Sequence, residues 1–259
     1  MDRAERIAEK LASDWESRAA YQALSGELAP ADLAEAYRAQ ALLQERLAAR
    51  RGAVAGRKIA LSSEAMQEMV GLSQPVAAVF FERDISWSPA TVPLSAFRRL
   101  GLEFELAVEL GRDVPPQDRP HDRDSVRALI AGVRPAFELI EDRGADYGAL
   151  DAFTLIADNA WCGGVVLGEP VADWQGRDLD ALAGTIHQPG HEPERLVTGA
   201  AAPLASLAWV LNHASAAGRT VRRGEHVITG SAARTRFPKA GERVRYELDG
   251  LAAVEVEVI

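Results

Sequence analysis

Ile7, Leu11 and Trp15 recur four residues apart among Glu, Lys and Arg, with Leu24 further on, and this spacing predicts an amphipathic helix within residues 3–24. A second helix is predicted after the start signal Leu28-Ala29-Pro30-Ala31-Asp32, along the apolar stripe Leu33, Tyr37, Leu43 and Leu47, with a stop at Gly52. Beyond Gly56 the period changes: apolar segments become short and are separated by Gly, Pro and Asp, the pattern of strands with a few helices between them. Residues 57–61 and 76–81 read as strands, with a short helix between them capped by Ser62 or Ser63 and ended by Gly71. Further strands are predicted at 134–140 and 163–167 and helices near 125–131 and 147–157. The helix at 203–217 is the clearest of the second half, with Pro203 in its first turn and Gly218 just past its end. Val254, Val256 and Val258 alternate with Glu255 and Glu257 in a closing half-exposed strand. A helical arm over residues 1–54 followed by a β-rich domain over 55–259 predicts an α+β fold rather than regular βαβ winding.

Length and composition bound the functions available. With 259 residues, 47% of them hydrophobic, the chain can bury a substantial core. A formal net charge of −9 argues against a nucleic-acid surface, because phosphate contacts need clustered cations and only short pairs such as Arg50-Arg51 and Arg222-Arg223 occur. The single cysteine, Cys162, excludes an internal disulfide, and no Cys/His spacing of the structural-zinc kind is present. The first residues lack a signal peptide's basic start and apolar core, and no run is long enough for a membrane span. A cytoplasmic protein is expected.

Candidate chemistry centres on the run Leu102–Leu110. On a strand, Glu103 and Glu105 point to one face while Phe104 and Leu106 point to the other. Two adjacent anions raise one another's pKa unless a cation sits between them, and hard divalent ions favour carboxylate oxygens. The alternative is a solvated acidic face. Glu138, set among Phe137, Leu139 and Ile140, needs a partner if buried, either a metal shared with the first two glutamates or Arg134 or Arg143. Lys58 lies in an apolar strand and must find an anion, lose its proton or snorkel to solvent. His187 and His191 are four apart, but Pro189 and Gly190 between them predict a loop, and Cys162 reads as a core thiol. There is no Gly-rich phosphate loop, dinucleotide fingerprint or nucleophile elbow.

Several segments in order resemble the 2-oxopent-4-enoate hydratases and 4-oxalocrotonate decarboxylases of the fumarylacetoacetate hydrolase superfamily. They are Glu35-Ala36-Tyr37-Arg38-Ala39-Gln40, the run Gly56 to Ser63 with Met66-Gln67, Gln74-Pro75, Glu103-Phe104-Glu105 and Pro135-Ala136-Phe137-Glu138. Asp158-Asn159-Ala160, Leu207 to His213, and Gly224-Glu225 with Ile228-Thr229-Gly230-Ser231 complete the series. The resemblance implies a helical N-terminal arm, a mixed β-roll core and assembly into a homo-oligomer, with a pathway enzyme as a further partner. It implies an Mg²⁺ or Mn²⁺ site formed by Glu103, Glu105 and Glu138, a catalytic Lys58, and substrate contacts at Asp158, Asn159, Trp161 and Ser231.

The implied substrate is a small 2-oxo acid, and the implied reaction is hydration of a 2-hydroxy-2,4-dienoate in aromatic catabolism. The metal would act as a Lewis acid on the 2-oxo group, and Lys58, its pKa depressed by burial, would bind the carboxylate or relay a proton. The chain departs from the family pattern at Ala60, Ala78, Trp161 and Ala233, so its substrate wall differs while its ligands are intact. One alternative is a 4-oxalocrotonate-type decarboxylase, which should hold a second carboxylate on an extra cation such as Arg57. The other is a non-catalytic partner or scaffold subunit.

Overall fold

The computed structural model describes all residues 1–259. Helix α1 (Arg3–Ser17) starts at Asp2, whose carboxylate accepts from the Glu5 N–H while the Glu5 side chain accepts from the Asp2 N–H. It ends earlier than predicted, at a left-handed Arg18, and Leu24 instead donates its N–H to Thr154 Oγ1. Helix α2 (Leu33–Arg51) is capped by Asp32 and stopped at Gly52, as the sequence pattern predicts. The two helices bury Ile7, Leu11, Leu43 and Leu47 together with Val79 and Phe81, so the arm shares a core with the strands it lies on.

The remaining helices are α3 (Glu64–Met69), α4 (Arg123–Arg127), α5 (Ala152–Ala157) and α6 (Pro203–Ala216). Strands β1 (Val54–Ala60), β2 (Val76–Phe81), β3 (Ile85–Trp87), β5 (Leu100–Leu110), β6 (Ile130–Glu141), β7 (Cys162–Leu167) and β10 (His226–Ile228) form one sheet in the order β2-β1-β10-β5-β6-β7-β3. Strands β4 (Ala90–Val92), β8 (Ala183–His187), β9 (Glu194–Val197), β11 (Arg243–Leu248) and β12 (Ala252–Val258) form a second, in the order β4-β12-β11-β8-β9. Both sheets mix directions: β1 and β10, β3 and β7, and β4 and β12 run parallel, and the other neighbours antiparallel. Phe104 and Phe137 of the first sheet meet Tyr246 and Val254 of the second in the main core, which α6 closes with Leu207 and Leu211. This is the curled α+β roll that the sequence pointed to.

Boundaries shift where capping and pairing override periodicity. The helix predicted near 125–131 is α4, capped by Asp122 and ended at Arg127, and β6 begins at Ile130 because its first residues extend the ladder with β5. The stretch predicted as a helix from 147 is a 3₁₀ turn at Tyr147–Ala149 followed by α5.

Strand β2 lies at a sheet edge, and side chains complete its pairing. Ala77 N–H donates to Tyr37 Oη (3.2 Å) and Gln40 Nε2 donates to Ala77 O (2.9 Å). Asn159 behaves as one residue of a missing strand: its Oδ1 accepts from Val79 N–H at 3.2 Å and its Nδ2 donates to Val79 O at 2.8 Å. Asn159, Ala160 and Trp161 all sit at positive φ (53°, 45° and 58°), a run that L-residues adopt only when their surroundings enforce it.

Candidate metal centre

The long antiparallel pair β5–β6 places the carboxylates. Glu103 and Glu105 share a face of β5, and the register sets Glu138 of β6 directly opposite Glu103. One ligand oxygen from each of the three lies within 4.8 Å of the others. Strand β1 delivers Lys58, whose Nζ donates to Glu138 Oε1 at 2.5 Å and to the Ala160 carbonyl at 3.0 Å. The segment after β10 fixes the other two glutamates: Gly230 N–H donates to Glu105 Oε2 (2.6 Å), and Thr235 Oγ1 donates to Glu103 Oε1 (2.7 Å). Glu138 therefore pairs with neither Arg134 nor Arg143. Arg134 donates to Gly168 O, and Arg143 is committed to Asp158.

Burial makes this cluster chemically demanding. Lys58, Glu105 and Glu138 are 2%, 1% and 0% exposed. Burial, Glu138 and Glu103 push the Glu105 carboxyl well above the usual range. Glu138 is pushed up to about 7 by burial and by Glu103, against the pull of Lys58. Burial also works against the Lys58 ammonium, but Glu138, Cys162 and Glu103 outweigh it, so its pKa is raised and not depressed as first expected. Cys162 is fully buried beside the same group, its thiol pKa raised well above the ordinary value by burial and the neighbouring Glu138 carboxylate.

A divalent cation fits this donor set. Glu105 Oε1 and Glu138 Oε2 are buried without a hydrogen-bond partner, and a buried carboxylate oxygen is not left unsatisfied without cost. With all four groups ionised, three carboxylates and one ammonium leave two negative charges, which one Mg²⁺ or Mn²⁺ neutralises.

A cavity of about 820 Å³ opens over the cluster. Its walls are Ile59 to Ser63 and Met66 on one side, Tyr147 and Phe237 on another, and the segment Gly230–Thr235, with Glu103 at its base. Ser231 lines it, its Oγ accepting from Phe104 N–H (2.9 Å) and donating to Ala233 O (2.8 Å). Ala60 and Ala233 also line it, whereas Ala78 faces a different cleft. Trp161 is buried edge-on to Tyr21 and Tyr147. Asp158 and Asn159 are fully buried outside the cavity wall, the first holding Arg143 (2.5 Å) and Trp15 Nε1 (2.8 Å), the second the edge of β2. Arg57 points to the opposite side of β1 from Lys58 and meets Glu225 at 3.3 Å. The cation that does line the cavity is Arg234. Its place, like those of Gly230 and Thr235, depends on a loop whose path no periodicity announces.

A curled mixed sheet carrying a glutamate triad, two members buried and Glu103 half-buried at the cavity, backed by a lysine and opening into a cavity for a small acid, defines a metal-associated lyase. The fumarylacetoacetate hydrolase C-terminal family model matches residues 50–259. A 2-keto-4-pentenoate hydratase of Paraburkholderia xenovorans strain LB400 is 30% identical over 227 residues, covering 86% of this chain and 82% of that one. A 2-hydroxyhexa-2,4-dienoate hydratase of Comamonas testosteroni is 29% identical over 209 residues, covering 79% and 78%. Among solved structures, a 4-oxalocrotonate decarboxylase from Pseudomonas putida G7, complexed with magnesium and adipate, superposes with a TM-score of 0.89 at 22% identity, over 99% of this chain and 97% of that one. The chain belongs to the fumarylacetoacetate hydrolase superfamily, in the group of 2-oxopent-4-enoate hydratases and 4-oxalocrotonate decarboxylases.

Proposed function

We propose that the chain hydrates a 2-hydroxy-2,4-dienoate of the 2-oxopent-4-enoate type to a 4-hydroxy-2-oxo acid. The observation that carries this reading is the clustered Glu103, Glu105 and Glu138 triad with Lys58 on it, in a chain 30% identical to a 2-keto-4-pentenoate hydratase over most of its length. In the reaction a proton leaves the 2-hydroxyl and one is gained at C5, and water then places its hydroxyl on C4 and a proton on C3. Bound at the glutamates, a divalent ion supplies Lewis acidity at the 2-oxo group. Glu138 and Ala160 take two N–H groups of Lys58, and the third is left for the substrate carboxylate or for proton transfer. Ser231 contacts the substrate from the cavity wall, while Asp158, Asn159 and Trp161 act by fixing the turn that aims the Ala160 carbonyl at Lys58. The arm 1–54 serves the domain 55–259 by holding that turn. We further assign the chain to the cytoplasm, as a homo-oligomer; no helix is long and apolar enough to cross a membrane.

Decarboxylation of a dicarboxylic dienoate is the second reading, favoured by Arg234, which enters no ion pair and supplies the cavity with the extra cation such a substrate needs. Product analysis with Mg²⁺ separates the two. A 4-hydroxy-2-oxo acid from 2-hydroxypenta-2,4-dienoate without carbon dioxide establishes the hydratase, and carbon dioxide from the dicarboxylic dienoate alone establishes the decarboxylase. If neither substrate turns over and Mn²⁺ with oxalate leaves the thermal transition unmoved, the scaffold reading replaces both.

A further inference from the structure

Successive residues of a strand face opposite ways, so the residue beside Lys58 belongs to a different chamber. On that side of β1, helices α2 and α6 stand apart over the backbone of β2 and leave a cleft of about 400 Å³. That is within the range of about 300–1,000 Å³ usual for small-molecule sites. The hollow exists because its floor and walls are small: Ala41, Ala77, Ala78, Ala214 and Ala217 line it.

Its charge is the opposite of the molecule's. The chain carries 38 acidic against 29 basic residues, yet Arg38, Arg57, Arg219 and His213 line the cleft and no Asp or Glu does. Arg38 is turned to Asp2, and Arg57 leans on Glu225 behind the wall. Arg219 has no carboxylate; its Nη1 donates to the neutral Gln44 Oε1 at 3.1 Å. Its charge is felt by its neighbours: burial, then Arg219 and Arg57, drive His213 down to about 4, and burial, with Arg219 adding to it against the pull of Glu225, lowers Arg57. The neutral His213 imidazole stacks on Trp209 with ring centroids 5.2 Å apart, and Tyr37 packs against its other side at 4.6 Å.

We infer that this cleft is a second binding site, separate from the metal centre, for a small organic carboxylate whose apolar body lies on the alanine floor and whose anion meets Arg219. An anion there gains a charge-assisted partner that Gln44 cannot equal, and its apolar part displaces water from a surface that offers it little. Inorganic anions lack the second half of this recognition, and neutral aromatics lack the first.

Benzoate titrated into the full-length, Mg²⁺-loaded protein by calorimetry tests the site, with benzyl alcohol as the uncharged control. Saturable one-to-one binding of benzoate but not of the alcohol is expected. Arg219→Gln should weaken it at least tenfold and Ala41→Phe, which fills the cleft from α2, should abolish it, while Glu103→Gln should leave it unchanged. Arg219 is exposed and Ala41 half-buried, so neither change removes core contacts. The inference is overturned if benzoate does not saturate, if both cleft variants bind it as the parent does, or if Glu103→Gln removes binding, which would place benzoate at the metal centre. Failure of hydratase and decarboxylase turnover would leave these outcomes untouched.

Discussion

Glu105 illustrates how a residue can oppose the fold it completes. It is 1% exposed, one of its oxygens lacks a partner, and its neighbours are two further carboxylates. Glu105→Gln keeps the shape and an acceptor for Gly230 N–H while removing a buried charge. At pH 8 the metal-free variant should therefore unfold at higher denaturant than the parent, by about 1 kcal/mol or more, while its Mg²⁺ affinity falls by ~10–100-fold. Equilibrium denaturation and metal titration read the two effects. Glu138 adds a pH dependence. Its folded pKa, about 7, lies above the ordinary 4.5, so the folded state holds the proton more tightly between those values. Stability of the metal-free protein should then fall as pH rises from about 4.5 to 7, and metal affinity should climb over the same window as the competing proton leaves. Thermal melts across that range with and without Mn²⁺ check both signs. The sequence disclosed the pairing of Glu103 with Glu105 through the two-residue repeat. It could not disclose that Lys58 answers Glu138, since β10 and β5 lie between their strands and only the curl of the sheet closes the gap.

At the level of elements, the site depends on an edge. Strand β2 is finished by side chains from α2 and by Asn159, and Gln44 Nε2 donates to Asn159 Oδ1 at 3.0 Å, so helix, strand and left-handed turn lock one another. Asn159→Ala removes bonds to a buried backbone N–H and C=O at once, and should cost about 2–6 kcal/mol at roughly 1–3 kcal/mol per stranded group. It should also lower kcat, because the freed turn no longer presents the Ala160 carbonyl to Lys58; denaturation and steady-state kinetics measure the two. Helices with clear start and stop residues, Asp32 and Gly52 for α2 and Pro203 and Gly218 for α6, are legible in the sequence. The short strands β3, β4 and β8 to β11 were not, because their residues are chosen by neighbours distant in the chain and carry no local period. The role of Asn159 as a surrogate strand was equally invisible: Asn favours turns in any sequence, and nothing local says which backbone it will reach.

For the whole molecule, the arm and the roll are one mechanical unit. Trp15 donates to Asp158, Asp158 holds Arg143, and Gln40 and Gln44 reach the edge strand and its clamp. Removal of residues 1–54 would bare Val79 and Phe81 and leave a buried aspartate and arginine without one of their covers. The truncated protein is expected to aggregate on expression, and any soluble fraction to show no metal-dependent stabilisation, as differential scanning fluorimetry with Mn²⁺ would record.

The one thiol of the chain carries a last consequence. Cys162 is 0% exposed and packed in the core of the first sheet, on the strand paired with β6, so an alkylating reagent reaches it only when the sheet that carries the glutamates opens. Its labelling rate is thus an internal clock for breathing of the sheet around the glutamate cluster, read in a protein with no second sulfhydryl to confuse the signal. A bound cation that ties β5 to β6 should slow that clock in proportion to how tightly it is held. Mass spectrometry of the time course would convert the tick into an opening free energy for the native state.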